Sequence, residues 1–471
     1  MGNESKQMMF LLTKILSLVV FPLVLYLCGL DLLMILSAEV LFVLCILCFK
    51  DINSNIFFFC FLLSFFVFLM SGDIASELFG KYYHIKFSEE VTRHSWITIL
   101  ISLIFLYLGY ICKGNTQKKP LHIPKNNEEK IEKIRYSAKT VFYFTYCILL
   151  FNTIDKIQFV SRNGYVAYYS SYRSMLPSVI AEFGDFAPIA LCVFFATFPS
   201  RKESMRPIAL YFLYAILSLL VGARGGMIYN AVFLLGYMFY RNKRDKGIDV
   251  WISKKTVVLI CLSIPFLLVF LFLYGYIRLG DDIEYVSFSQ ALVDFFVNIG
   301  SSSTIIKYGY EYRNEINEFK FYSLGDTLNY LKYGKLFNLF SQDAIPSIHS
   351  AEFALEGHSF DSFLSYKFMK TQFLSGEGAG SSYIAILFAD FGYIGVAIGS
   401  FIYGMIFKSI SSLNENSWLS TAIKLYFFLL LIKAPRGSYD AFFGGIININ
   451  FWLVIFVIIF LSKYLKKGRA K

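Results

Sequence analysis

The stretch TVVLICLSIPFLLVFLFLYGY, from Thr256 to Tyr276, runs for 21 residues without one Asp, Glu, Lys or Arg. As a helix rising 1.5 Å per residue it covers about 30 Å, the thickness of a bilayer's hydrocarbon core. It is apolar on every side and lacks the alternation of a barrel strand. Lys254 and Lys255 precede it and Arg278 follows it. Comparable runs recur along the chain, and twelve spans are predicted, at about 8–29, 32–49, 55–72, 95–112, 140–158, 179–198, 208–222, 225–240, 256–276, 382–407, 418–434 and 446–462. Of the 471 residues, 56% are hydrophobic and 16% charged, and the mean hydropathy is +0.56. A soluble domain carries roughly 25% charged residues. A soluble enzyme, a disordered tail and a singly anchored protein are excluded. The chain reads as an all-α polytopic membrane protein.

Positive charge sets the orientation, because cytoplasmic segments retain Lys and Arg. With both termini cytoplasmic, the inner segments hold 25 Lys and Arg against 9 Asp and Glu, leaving 19 and 24 for the outer segments and spans together. The loop 113–139 carries eight basic residues, 241–255 six, and the tail Lys463–Lys471 five. This asymmetry explains the net charge of +11 without invoking nucleic acid. Three regions follow: 1–276 with nine spans and short loops, 277–381 as one large extracytoplasmic loop, and 382–471 with three spans and a basic tail. The large loop has eight Lys and Arg against thirteen Asp and Glu. A segment this long is expected to fold as a partly helical cap that carries function, with Phe288–Ile306 as an amphipathic helix on the membrane surface. The eight cysteines all fall in or beside apolar runs, which implies packing and no disulfide framework. The first run lacks a small-residue cleavage site and is expected to remain as a span.

Arg224 sits in Gly222-Ala223-Arg224-Gly225-Gly226, between two short apolar runs. Glycines let a ligand approach closely, and a guanidinium meets phosphate oxygens as a fork; an arginine reaching for lipid headgroups is the alternative. Arg436, in Pro435-Arg436-Gly437-Ser438-Tyr439-Asp440, and Arg278, before Gly280-Asp281-Asp282, repeat the pattern at the same predicted boundary. A second outer segment, 159–178, holds Arg162, Tyr165, Tyr168, Tyr169, Tyr172 and Arg173. Gly376-Glu377-Gly378-Ala379-Gly380-Ser381-Ser382 reads either as a backbone cradle for an anion or sugar at a helix N-terminus or as a flexible lead into a helix. Asp390, Glu182, Asp185 and Glu39, inside apolar runs, are expected to face the bundle interior or a wet cavity. His349, Glu352, Glu356, His358 and Glu377 are the candidate general bases. Their spacing is no zinc pattern, Asp281 and Asp282 point apart, and no metal or cofactor is expected. There is no Walker loop and no nucleophile elbow.

In these residues the sequence resembles the Wzy-type O-antigen and capsule repeat-unit polymerases. The likeness rests on Gly-Ala-Arg-Gly at 222–225, a long outer loop entered through Arg278, Ala344-Ile345-Pro346 within it, Gly-x-Gly-x-Gly-Ser-Ser at 376–382, Phe391-Gly392-x-x-Gly395, and Pro435-Arg436-Gly437. It covers the chain from about residue 100 to the end. Ile386 departs from the pattern, where family members often carry an acid one turn before the Phe-Gly pair. The resemblance implies a GT-C-like fold in the bacterial inner membrane, with a glycan on undecaprenyl pyrophosphate transferred at the outer face to a single lipid-linked repeat unit. The implied partners are that lipid-linked oligosaccharide, the lipid bilayer and a Wzz-type chain-length regulator. On this chemistry Arg224, Arg278, Arg436 and Arg173 gather the leaving diphosphate. His349, Glu352, His358 and Glu377 supply the base, and Tyr168, Tyr172 and Tyr439 offer flat faces to sugar rings.

Two other classes compete with this reading. An O-antigen ligase shares the lipid-linked donor and the large outer loop but delivers glycan to lipid A core. A lipid-linked oligosaccharide flippase or other transporter would distribute charge along a central path and often shows internal symmetry, which is lacking here.

Overall fold

A computed structural model of the chain describes residues 22, 24–26, 29–80, 87–112, 125–222, 224–245, 249–279, 287–316, 320–334, 346–413 and 417–464. Among them the regular structure is all helical. The first helices are α1 (Leu32–Phe49), α2 (Ile52–Phe79), α3 (Glu89–Cys112), α4 (Lys125–Asn163), α5 (Tyr165–Ser171), α6 (Ser178–Ala196), α7 (Arg201–Leu220), α8 (Arg224–Arg244) and α9 (Lys254–Leu279). Six short helices follow: α10 (Phe288–Ile299), α11 (Ser303–Glu311), α12 (Gly325–Tyr333), α13 (Ala351–Glu356), α14 (Phe360–Phe368) and α15 (Lys370–Leu374). The chain closes with α16 (Tyr383–Ile410), α17 (Trp418–Leu431), α18 (Ala441–Ile447) and α19 (Ile449–Tyr464).

Eight of the described helices are long and apolar enough to cross a membrane, and α18 with α19, bent by 52°, makes a ninth if counted as one span. Each predicted run from 32–49 onward falls on a helix, those at 140–158 and 225–240 lying on α4 and α8. The run at 8–29 lies almost wholly outside the described residues. Helix starts follow local chemistry. Asp31 accepts the Leu33 N–H, and Ser200 and Glu203 form a reciprocal capping box on α7, each satisfying N–H groups that a helix leaves unpaired.

The bundle centre is aromatic. Phe61 and Phe407 rings lie 4.6 Å apart and Tyr383 and Tyr403 5.0 Å apart. The Tyr383 hydroxyl and Ser400 both hydrogen-bond Ser102. The α3–α16 pair packs backbone on backbone: a Cβ on Gly109 would lie 2.0 Å from the Phe401 carbonyl oxygen, and one on Gly404 2.1 Å from that of Leu106. Small residues permit such approach between membrane helices. Gly392 breaks α16 with φ +61°, a conformation that favours glycine. The seven described cysteines are free.

Helices α10–α15 form a cap at the end of the bundle where α8 and α16 begin and α9 and α17 finish. Charged groups of the bundle seat it. Asp73 of α2 pairs with the buried Lys307 of α11 at 2.8 Å. Asp390 of α16 accepts the Tyr322 and Ser323 N–H groups at 3.0 and 2.6 Å. Asp440 accepts those of Asp326 and Thr327 at 3.2 and 2.9 Å. Asp440 thus satisfies donors in the first turn of α12 that no helical turn can reach, and Asp390 those of the tight turn, Tyr322–Leu324, that leads into it. The single amphipathic helix expected over 288–306 is instead two helices, α10 and α11, parted at Gly300. There the backbone presses on Gly72, and a Cβ on Gly300 would sit 2.2 Å from the Gly72 nitrogen. Of the other acids expected to face the interior, Glu182 and Glu39 are half-buried, whereas Asp185 is exposed at the turn where α6 tightens.

Candidate functional site

Between cap and bundle lies a cleft of about 840 Å³. Its floor and sides come from Phe68 of α2, the first turns of α8, the last turns of α9 around Phe272, and α10. The glycine segment 376–380 and the chain from Lys433 to Ser438 close the opposite wall, and His349 and Asp361 reach in from the cap. Four of the residues singled out in the sequence, Arg224, Arg436, His349 and Glu377, therefore share one cavity.

The three cations are held differently. Arg224 is half-buried, and its Nη1 donates to the Leu271 carbonyl at 3.2 Å. Its guanidinium lies against Gly275, where a Cβ would stand 2.9 Å from Nη1. Arg436 rests over the Phe68 ring at 5.8 Å, beside Gly380. The Lys433 and Arg436 side chains have no hydrogen-bond or ion-pair partner among the described residues, and both reach solvent through the cleft. Lys433 escaped the sequence reading because it ends an apolar run. Its offset of three residues from Arg436 was the available signal, since residues three apart share a helix face.

His349 packs its ring on Phe373 at 5.2 Å, and its buried Nδ1 has no partner among the described residues. Glu377 is exposed at the rim. His358 lies off the cleft: its backbone N–H donates to Asn329, its Nδ1 meets the Lys320 carbonyl oxygen, and it lines a smaller chamber of about 140 Å³. Asp361, Gly380 and Arg436–Ser438 border both cavities. In that chamber Asp326 accepts from Ser438 Oγ. Asp326 keeps solvent access on one side, yet the protein around it strips enough water to push its carboxyl up to about 6, with Asp440 and Asp361 adding to the rise.

Other expected site residues stand elsewhere. Glu352 is exposed on α13 and lines neither cavity, and Arg173 is exposed in the turn after α5. Tyr172 donates to Asp155 at 2.9 Å and packs on Tyr168, ring centres 5.1 Å apart; among the described side chains of that segment, Tyr165 lines the cleft. Tyr439 stacks on Tyr403 at 4.9 Å and 13°, as part of the core. Arg278 belongs to the last turn of α9, but its side chain is outside the described residues, as are Asp281, Asp282, Ala344 and Ile345. Among the described residues no three His, Cys, Asp or Glu side chains converge as a metal site would require.

Three cations beside two carboxylates and a histidine can hold an oligoanion and serve proton transfer close to it. No curated protein and no solved structure gave a significant match. The family model for O-antigen polysaccharide polymerase Wzy matches residues 7–469, nearly the whole chain. With its long apolar helices, the chain is a multi-pass membrane protein that belongs to the Wzy family of O-antigen polysaccharide polymerases, glycosyltransferase-type enzymes.

Proposed function

We propose that the cleft is the polymerisation site, where a glycan on undecaprenyl pyrophosphate moves to the terminal sugar of a single lipid-linked repeat unit at the outer face of the inner membrane. The observation that carries this reading is the pair Lys433 and Arg436, two cations lining the cleft without a described counter-ion. A cation held ready in a partly water-shielded site gains most from charge that develops during reaction. The departing diphosphate supplies that charge, and Arg224 adds a third positive group. Arg278 completes the set in this reading, and Arg173 is left out. His349 or Glu377 takes the acceptor's proton as its oxygen bonds to the donor's anomeric carbon. The bond from that carbon to the phosphate oxygen breaks, and its electron pair leaves with the lipid diphosphate.

The orientation follows the same logic. The cleft lies at the bundle end opposite Lys243, Arg244 and Lys254, and the positive-inside rule puts those cations in the cytoplasm. We propose twelve spans with both termini inside and a chain-length regulator of the Wzz type as partner. The test is a gel of lipid-linked and surface glycan from a deletion strain complemented with wild type, Lys433→Ala or Arg436→Ala. Wild type is expected to restore a ladder, and each well-expressed variant to collapse it towards single repeats on core. Polymer building up on carrier lipid in the deletion strain would identify a ligase instead, and repeat units trapped inside the cell a flippase.

A further inference from the structure

Beside the cleft, the smaller chamber carries features that diphosphate binding does not use. Its volume is about 140 Å³, room for on the order of ten water-sized groups, which is the size of one pyranose ring with its hydroxyls. Tyr322 and Ser381 line it and are 1% and 6% exposed. The Tyr322 hydroxyl and Ser381 Oγ have no hydrogen-bond partner among the described residues. A buried hydroxyl left unpaired is costly, so two on residues that line one small chamber call for a ligand that restores the bonds. Asp326 and Asp361 add carboxylate acceptors, and His358 and Ser438 further polar groups.

The geometry points to a sugar site: we infer that this chamber takes the terminal sugar of the acceptor, with the Tyr322 and Ser381 hydroxyls and the Asp361 carboxylate bonding its hydroxyl groups. The inference rests on the polymerase reading above and deepens it. A polyol is the ligand class that needs both donors and acceptors, and this lining offers carboxylates, hydroxyls and the Arg436 guanidinium together. Placement supports the acceptor over the donor. Asp361 and Arg436 border both cavities, so a sugar seated in the chamber points one face at the site where the diphosphate departs. A hydroxyl on that face lies next to the site where the donor's anomeric carbon would sit, as direct transfer requires.

The test uses the full chain reconstituted in lipid nanodiscs. Unlabelled lipid-linked polymer serves as donor and tritiated single lipid-linked repeats as acceptor, both extracted from the source cell. Incorporation of label gives a KM for each substrate separately. Tyr322→Phe and Ser381→Ala remove hydroxyls without a hydrogen-bond partner among the described residues, so melting temperature is expected to hold or rise. Acceptor KM is expected to increase about tenfold in each, the scale of one lost hydrogen bond, with donor KM within about twofold. Asp361→Asn is expected to exceed both, because the bond to a charged acceptor is stronger. Acceptor KM unchanged in all three variants, or a rise in donor KM instead, overturns the inference while leaving the polymerase intact. A wild-type chain that incorporates no label overturns the polymerase reading and this inference with it.

Discussion

Arg241 and Arg436 are the same residue type at opposite ends of one bundle, and the protein treats them in opposite ways. Arg241 is 3% exposed and fully occupied. It donates to the Pro199 carbonyl at 2.8 Å, to the Tyr237 hydroxyl at 2.9 Å and twice to Asp245, and it lies 4.3 Å over the Trp251 ring. Arg436 lies over the Phe68 ring and faces the cleft with Lys433. A buried charge is tolerated only when its partners replace water, so Arg241 is scaffold. A cation held near a cavity without such partners keeps its bonding capacity for something else.

That contrast can be broken by experiment. Arg436→Ala is expected to cut polymerisation about 10²–10³-fold, as removal of one preorganised donor does, with expression and melting temperature held. Arg241→Ala is expected to do the reverse, costing about 3 kcal/mol by leaving Asp245 short of its partner, so that the protein melts early or fails to accumulate. Equal loss of stability in the two variants would erase the distinction. Next come the seats of the cap. Asp440→Asn and Asp390→Asn weaken charge-assisted bonds worth about 1.5–3 kcal/mol, and limited trypsin digestion is expected to cleave the cap faster in both while α1–α8 stay intact. A smaller effect concerns Asp326. Its carboxyl rises from 3.8 to about 6, so the folded chain holds a proton that the unfolded chain releases. The stability this contributes is complete below about pH 4 and gone above about pH 6. The melting temperature of Asp326→Asn should therefore lack this decline, by on the order of 1–2 °C given the group's exposure. Smallest of all, Gly275→Ala pushes the flexible end of Arg224 aside and is expected to slow polymerisation by about two- to fivefold without loss of protein.

What could be read from the sequence divides along physical lines. Runs such as Thr256–Tyr276 set their own helices, because length and apolarity suffice in a bilayer. The residues at run ends, Arg224 and Arg436, were therefore placed near one another before any contact was known. Long-range pairings were not legible. Asp390 was expected to face the bundle interior or a wet cavity; its partners are the backbone of Tyr322 and Ser323, 68 and 67 positions away, and no periodicity encodes that meeting. Tyr439 shows a different limit. An aromatic ring beside a loop suits a sugar or a core equally well, and its stacking on Tyr403 depends on the approach of α16. Asp361 and Tyr322 belong to no motif, because an ordinary Asp and Tyr in a polar loop carry no site signal until the fold gathers them around a chamber.

Of the Lys254–Tyr276 run only Leu271 and Phe272 are buried within the protein. Val258, Leu259, Leu262, Phe266 and Phe270 face outward, while its last turns carry Phe272 into the cleft and the Leu271 carbonyl to Arg224. Its 23 residues span about 35 Å as a helix, a few ångströms more than a typical hydrocarbon core. A helix held mostly by lipid takes up such mismatch by tilting. The wall that steadies Arg224 is thus expected to respond to bilayer thickness, and cleft width to the acyl-chain composition of the host membrane.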